Sequence, residues 1–422
     1  MNEKLVEALK RWTGTLSGFK AIEREEIKRA EEFLMPGKVL FVTGIRRAGK
    51  SYLAKMLSKH STIFVNGEDP VIKASTPQDI LEATIHICEQ SRPKLIFIYE
   101  AQNITDFQVL VRNLLDYFNV PIIVTGSSSA ILKEEMSSQL SGRYLSLELF
   151  PLSFRDYLHF RGVEAPSFLT EEKATAYLES FMGYGSFPEV VLNMERANDL
   201  LLSYFSTIVV KDVKERYNVR EGQKLELFAR ILAENPSTLL SIRRIGRNIG
   251  ISAATAEKFA SYFEEVYFVT QIQKCSPKTY EPIKSMKKVY LSDTGFHTIF
   301  YAGRGEKRTR IMENTVAIEL FRRYGRNNIF YYSTPDGYEV DFLVREKNRI
   351  TQMIQVAYDL EDEKKTKREL RALTKAAGRF KDASLLVITM DKEGTERFGD
   401  VEIKFVKLWK WLLYGFSSEK ML

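Results

Sequence analysis

The chain has 422 residues, 44% of them hydrophobic and 28% charged, with a net charge of +7 and a pI near 9.0. These values exclude a largely disordered protein, the length predicts about two to four domains, and the basic balance leans towards polyanionic partners. Two cysteines, Cys88 and Cys275, and four histidines supply neither a disulfide framework nor a zinc-ligand pattern.

No apolar stretch approaches the length needed to cross a bilayer. The opening run Met1-Asn2-Glu3-Lys4 continues as an amphipathic helix through Leu5, Leu9 and Trp12 rather than as a signal sequence. The expected setting is therefore the cytoplasm, without a membrane partner.

In chain order, residues 1–37 read as helices that end at Pro36-Gly37. From 38 to about 153, apolar runs at 39–42, 61–65, 95–99, 121–125 and 144–149 alternate with helical stretches that include 77–90, 106–118 and 130–140. That alternation predicts a parallel sheet with right-handed crossovers and a ligand at the carboxyl ends of its strands. Helical pattern dominates from Phe154 to about Arg220, interrupted by Gly183-Tyr184-Gly185-Ser186-Phe187-Pro188. Three short amphipathic helices follow at 224–234, 239–248 and 253–266, then strand-like runs at 267–273 and 288–291. Three helices and a β-ribbon describe a winged helix. The last part, from about 305, carries a helix at 312–324, strands at 330–333, 339–344 and 352–357, a charged helix at 361–377 and a strand at 384–389.

Within the first strand–helix pair lies Gly44-Ile45-Arg46-Arg47-Ala48-Gly49-Lys50-Ser51, a complete G-x-x-x-x-G-K-[ST] loop. Glycines admit close backbone approach, and successive N–H groups with the helix N-terminus surround a polyphosphate. The phosphate-contacting set is Gly44, Arg46, Arg47, Ala48, Gly49, Lys50, Ser51 and Tyr52, with Lys50 at the β- and γ-phosphates and the Ser51 hydroxyl as Mg²⁺ ligand. The expected ligands are ATP and Mg²⁺.

Hydrolysis also needs a water-activating carboxylate, a γ-phosphate sensor and positive charge at the transition state. Glu100, after the strand at 95–99, is the natural base. Ser127, in Thr125-Gly126-Ser127-Ser128-Ser129, offers the sensing hydroxyl. Arg143 stands just before the fifth strand, where it could point into a neighbouring subunit's site; the alternative is a solvated cation.

These segments, together with Gly67-Glu68-Asp69, Phe150-Pro151-Leu152-Ser153-Phe154 and Gly185-Ser186-Phe187-Pro188-Glu189, resemble the archaeal and bacterial AAA-like P-loop ATPases that carry a C-terminal domain of uncharacterised function. The resemblance covers nearly the whole chain. It implies an additional-strand, catalytic-glutamate α/β fold with strand order 5-1-4-3-2 over residues 1–153, and a helical lid over 154–220. It further implies a winged helix over 221–304 and a restriction-endonuclease-like domain over 305–422. An oligomer, a ring with Arg143 as the inter-subunit finger, is implied as well. One position departs from the pattern: Tyr99 stands where the family has the aspartate that holds the Mg²⁺ shell. A phenol with a pKa near 10 is no substitute at neutral pH. Either Asp69 helps from the side or turnover is slow.

Arg243, Arg244, Arg247 and Lys258 on the winged-helix segment would neutralise DNA phosphates, or else are solvated charges. In the nuclease-like part the candidate metal ligands are Glu313, Asp341 and Gln355. The position that would carry a water-polarising lysine is Ala357, which leaves only Lys364, Lys365 or Lys367 within conceivable reach. Glu313 and Asp341 then serve as structural residues, and this part binds nucleic acid or a partner rather than cutting it. The sequence thus supports an ATPase that acts on DNA; the alternatives are a slow-turnover switch with a non-cleaving nuclease-like end, or an ATP-regulated nuclease.

Overall fold

A computed structural model describes residues 2–58, 61–127, 140, 142–276, 278–279, 282–301, 308–334, 336–359 and 363–415. Most of the helix expected over 130–140, with Ser128, Ser129 and Ser141, lies outside these residues, as do Glu361, Asp362, Phe416 and the side chains of Lys364, Lys365 and Lys367. The chain divides into two compact units, Met1–Pro151 with Glu265–Tyr267, and Leu152–Glu264 with Phe268–Leu422.

The first unit contains α1 (Glu3–Gly14), α2 (Glu26–Glu32), β1 (Val39–Thr43), α3 (Lys50–Leu57), β2 (Thr62–Asn66), α4 (Pro70–Lys73), α5 (Pro77–Ser91), β3 (Leu95–Tyr99), α6 (Phe107–Tyr117), β4 (Ile122–Thr125) and β5 (Tyr144–Glu148). The strands lie in the order β2-β3-β4-β1-β5, which is the expected 5-1-4-3-2 read from the other edge. Every pairing is parallel. The residues of β1 and β2 are buried throughout, as required of strands covered on both faces. One face packs Val39, Phe41, Ile63 and Ile98 against Leu5 and Leu9 of α1, Ile80 of α5 and Leu110 of α6. The other packs Leu40, Val42 and Phe97 under Ile27 and Ala30 of α2 and Leu53 and Leu57 of α3. Local signals start the helices: the Asn2 side chain caps α1, and Thr76 and Asp79 form a capping box ahead of Pro77 on α5.

The second unit opens with α7 (Phe154–Phe160), α8 (Glu171–Tyr184), α9 (Pro188–Leu192) and α10 (Ala197–Thr207), which runs on as a π-helix over Ile208–Glu215. Next come α11 (Gly222–Glu234), β6 (Thr238–Leu240), α12 (Ile242–Asn248), α13 (Ala253–Glu265), β7 (Val269–Cys275), β8 (Pro282–Leu291) and α14 (Gly295–Thr298). The rest is α15 (Arg308–Tyr324), β9 (Ile329–Ser333), β10 (Glu339–Glu346), β11 (Arg349–Ala357), α16 (Glu363–Ala377), β12 (Ser384–Thr389), β13 (Gly394–Phe398), β14 (Val401–Lys407) and α17 (Leu408–Tyr414). Nine strands form one sheet, β13-β14-β12-β11-β10-β9-β7-β8-β6. Its β11, β12 and β14 are parallel, while β9, β10 and β11 are antiparallel.

Three elements differ from expectation. Residues 238–240 pair with β8, so the helix expected from 239 starts at Ile242, where the Ser241 side chain accepts the Arg244 N–H. The ribbon strand β8 begins at Pro282, six residues before the apolar run that signalled it. The hairpin β13–β14 was not legible, and it places Phe405 in the sheet core.

The glycine-rich break after α8 has a tertiary cause. Gly185 has φ +74°, and a Cβ there would lie 1.8 Å from the Asp293 carboxylate. Asp293 accepts the N–H groups of Ser186 (2.7 Å) and Gly295 (2.9 Å) and the Ser186 hydroxyl (3.3 Å). Burial pushes its carboxyl up to about 7 against the pull of these donors.

Candidate functional site

The turn after β1 is built for close approach. Gly44 has φ +132°, and a Cβ there would lie 2.1 Å from the Leu149 carbonyl oxygen, so no side chain fits. Arg47 (φ 68°) and Gly49 (φ 99°) are also left-handed, and such alternation turns N–H groups to one side. Helix α3 starts at Lys50 with no side-chain cap, which leaves its first N–H groups for an anion. Arg46 is half-buried, Ala48 buried, and Arg47 and Tyr52 exposed. Lys50 is buried, and its ammonium donates to the carbonyls of Gly44 (2.9 Å) and Ile45 (3.0 Å).

A residue outside any motif braces this loop. Buried Arg24 donates to the Ala48 carbonyl (2.6 Å), the Phe150 carbonyl (3.0 Å) and the Glu26 carboxylate (3.2 Å). It ties the loop to the chain after β5. Sequence reading missed it because one arginine among many in a helical stretch carries no local signal.

Tyr99 and Glu100 follow β3. Glu100 adopts a left-handed conformation (φ 47°, ψ 54°), is buried, and donates its N–H to the Thr125 hydroxyl (3.2 Å) while its carboxylate accepts from the Gln102 amide. Gly67 makes room beside it, because a Cβ there would meet the Glu100 carbonyl oxygen at 2.6 Å. Tyr99 shares a hydrogen bond with Ser51, the side chain expected at the metal. Burial, then the charge of Glu100, pushes its phenol up to about 12, so it is neutral at physiological pH.

Asp69 is not free to replace the missing aspartate. Its carboxylate accepts from Arg11 (2.7 Å), Trp12 Nε1 (2.8 Å) and the Val71 N–H (2.8 Å), which caps α4. Burial alone would raise its pKa; the bonds from Trp12, Val71, Ile72 and Arg11 outweigh burial and hold it below the usual carboxylate value. Of the two alternatives, help from Asp69 or slow turnover, these bonds weigh against the first.

Ser127 is buried just past β4, where the Gly126 N–H donates to the Val42 carbonyl (3.3 Å). Lys50, Ser51, Tyr99, Glu100 and Ser127 therefore gather at the carboxyl edges of the neighbouring strands β1, β4 and β3. Arg143 does not join them. It precedes β5 at the opposite end of the sheet, roughly 17 Å away along a five-residue strand. Its side chain pairs with Asp116 at 2.7 Å.

In the second unit, β10, β11 and α15 bring Glu313, Asp341 and Gln355 to one cavity of about 160 Å³, which Thr309, Tyr338 and Glu339 also line. A lysine outside the three expected candidates reaches this cluster. Lys288 of β8 extends its ammonium to Glu339 (2.7 Å), Glu313 (2.8 Å) and Asp341 (3.0 Å) and is itself buried. It lies behind the carboxylates rather than on the cavity wall. Tyr290, two residues along the same strand and so on the same face, donates to Glu313 (2.7 Å). Burial would lower Lys288, but Glu313, Tyr290, Asp341 and Glu339 raise it well above the ordinary lysine value. Burial pushes Glu313 up to about 8, opposed by Lys288 and aided by Asp341. Asp341 Oδ2 accepts the Val356 N–H (3.0 Å), whereas Gln355 Oε1 is buried without a hydrogen-bond partner. Among the described residues no three His, Cys, Asp or Glu side chains are arranged to hold a metal by themselves. Sequence reading missed Lys288 because it lies 25 residues before Glu313, on a strand assigned to another module.

A parallel 2-3-4-1-5 sheet with a glycine loop running from β1 into α3 defines an AAA-type P-loop protein. Residues 36–158 match the family model of an AAA domain. Residues 175–302 and 308–411 match two models described as domains of unknown function (DUF8612 and DUF4143). An uncharacterized protein of Methanocaldococcus jannaschii is 32% identical over 93% of this chain and 91% of its own length. An uncharacterized protein of Haemophilus influenzae is 26% identical over 76% and 82%. The chain belongs to this family of archaeal and bacterial AAA-domain proteins whose C-terminal parts have no assigned function. Among solved structures it is similar to the Aeropyrum pernix Orc1 protein in complex with DNA, at 14% identity and a TM-score of 0.33 over 69% of this chain and 96% of that one. No helix among the described residues is long and apolar enough to cross a membrane.

Proposed function

We propose that the chain is an ATPase that couples ATP binding and hydrolysis, as an oligomer, to the binding or remodelling of DNA. The observation that carries this reading is the gathering of Lys50, Ser51, Glu100 and Ser127 at the carboxyl edges of β1, β3 and β4. Lys50 and the uncapped N–H groups of α3 bind the β- and γ-phosphates. Glu100, held by Thr125 and Gln102, orients the attacking water and takes its proton. Ser127 senses the γ-phosphate, and Arg143 of a neighbouring copy supplies positive charge at the transition state. Ser51 would hold magnesium, which would supply positive charge to the phosphates.

The three helices and ribbon over 222–291 support a winged helix. Gly246 lets α12 approach α13, since a Cβ there would lie 2.7 Å from that of Ala256. Arg243, Arg244, Arg247 and Lys258 are exposed on these two helices, where cations can neutralise backbone phosphates. The test is phosphate release with and without single-stranded and duplex DNA. Stimulation by DNA that disappears in Lys50→Ala is the expected result, with nucleotide heat in calorimetry lost in the same variant. Equal turnover in Lys50→Ala and wild type would defeat the reading.

The hydrogen bond between Tyr99 and Ser51 favours a second reading, a slow-turnover switch that holds nucleotide tightly. Tight binding with negligible phosphate release, unaffected by DNA, would select it.

A further inference from the structure

We propose that Glu68, on the turn after β2, is the residue that supplies a carboxylate to the water shell of the nucleotide-bound magnesium, in place of the aspartate missing at position 99. The inference rests on the ATPase reading and names a positioning residue within that same site.

A magnesium ion bound with nucleotide ordinarily takes phosphate oxygens, several waters and one or two carboxylates. Segments 67–69 and 100–102, directly after β2 and β3, carry the carboxylates of Glu68, Asp69 and Glu100. Two of these are engaged. Asp69 holds Arg11, Trp12 and the first turn of α4, and Glu100 accepts from the Gln102 amide. Glu68 is exposed, whereas its neighbours Asn66, Gly67 and Asp69 are buried.

The strand register brings Glu68 beside Tyr99. Asn66 of β2 stands opposite Tyr99 of β3. The Gly67 N–H donates to the Tyr99 carbonyl (2.9 Å), and the lack of a Cβ at Gly67 lets the turn press against the carbonyls of Tyr99 and Glu100. The Asn66 side chain accepts the Glu68 N–H (2.9 Å), while the Asp69 N–H bonds to the Asn66 carbonyl (3.0 Å). The backbone of Glu68 is therefore held at both flanks, and its side chain extends from a fixed point.

That side chain bears on the Tyr99–Ser51 pair. Burial and then the charge of Glu100 are the main causes that push the Tyr99 phenol up to about 12, and the charge of Glu68 adds to them. Hydroxyl and carboxylate oxygens are the hard donors that magnesium takes, so Ser51 and Glu68 form a fitting set. Neighbouring strands lie about 4.8 Å apart. A carboxylate offered from β2 rather than β3 needs a longer side chain and a bridging water, and glutamate meets the first need. Glu68 orients water and touches no reacting atom.

The experiment measures, by calorimetry on the full chain, the affinity for a non-hydrolysable ATP analogue with Mg²⁺ and with a chelator. Wild type is expected to bind more tightly with Mg²⁺. Glu68→Gln, a change at an exposed side chain that keeps the backbone bonds, is expected to match wild type in chelator. With Mg²⁺ it is expected to bind about tenfold more weakly, the usual order for an outer-shell carboxylate. In a Tyr99→Asp background the same change is expected to cost little, because the aspartate then supplies the carboxylate. An undiminished Mg²⁺ gain in Glu68→Gln overturns the proposal and leaves the ATPase reading standing. An equal loss with and without Mg²⁺ also overturns it, since that marks a general effect on the fold or on nucleotide contact. So does a loss that Tyr99→Asp fails to relieve. Absence of nucleotide heat in wild type under both conditions defeats the ATPase reading, and this inference with it.

Discussion

At the scale of single residues, two side chains set behaviour that the motifs around them do not. Tyr99 stands where the resemblance read from the sequence expects a metal-shell carboxylate, and its neutral phenol bonds to Ser51. Tyr99→Asp is expected to raise the rate of phosphate release at least tenfold while changing nucleotide affinity little, because the cradle of Lys50 and the α3 N–H groups is untouched. Single-turnover and steady-state assays on the two proteins check this, and equal rates would remove the metal-shell argument. Asp293 makes a different prediction. Its folded pKa of about 7 lies above the ordinary value of 3.8, so the native state binds its proton more tightly than the unfolded chain does. The associated stability is fully present below about pH 4 and is lost as pH rises through 7, at up to about 1.4 kcal/mol per pH unit. Urea midpoints between pH 4.5 and 7.5 should fall more steeply in wild type than in Asp293→Asn; parallel slopes would refute it.

At the scale of elements, the nucleotide loop is a strand, a turn and a helix in immediate succession, so its geometry follows from residues 39–57 and was legible in full. The brace that Arg24 adds comes from an earlier segment and was not. Arg24→Ala leaves the Ala48 and Phe150 carbonyls without that donor, a cost of about 1–3 kcal/mol for buried acceptors. The expected outcome is a lower denaturation midpoint and a several-fold weaker nucleotide affinity, which added ATP partly offsets. An unchanged calorimetric affinity would separate Arg24 from the loop. The β13–β14 hairpin shows the converse limit: its β13 is short and largely exposed, so no apolar run announced it.

At the scale of the whole molecule, Arg143 lies too far from its own chain's loop to act there. If it serves a neighbour, Arg143→Ala and Glu100→Gln should each abolish turnover alone and regain activity on mixing. In the mixture, some intact glutamates face intact arginines across the interface. The pair with Asp116 is exposed and worth about 0–1 kcal/mol, so it opposes little. Mass in solution with and without ATP tells whether the copies assemble. Mixed subunits that stay inactive while co-assembled would exclude a finger in trans.

The sequence by itself determined the parallel sheet of the first unit and the glycine loop that follows its first strand. Those features rest on periodicity and on a loop whose donors are neighbours in the chain. The tertiary structure alone decided what surrounds the ligand-bearing residues: Asp69 is committed to Arg11 and Trp12, Tyr99 reaches Ser51, and Lys288 stands among Glu313, Glu339 and Asp341. The physical reason is that an ion pair or hydrogen bond acts over about 3 Å in space whatever the separation along the chain. A residue's chemistry can therefore be read locally, whereas its partners are fixed only when the strands are laid side by side.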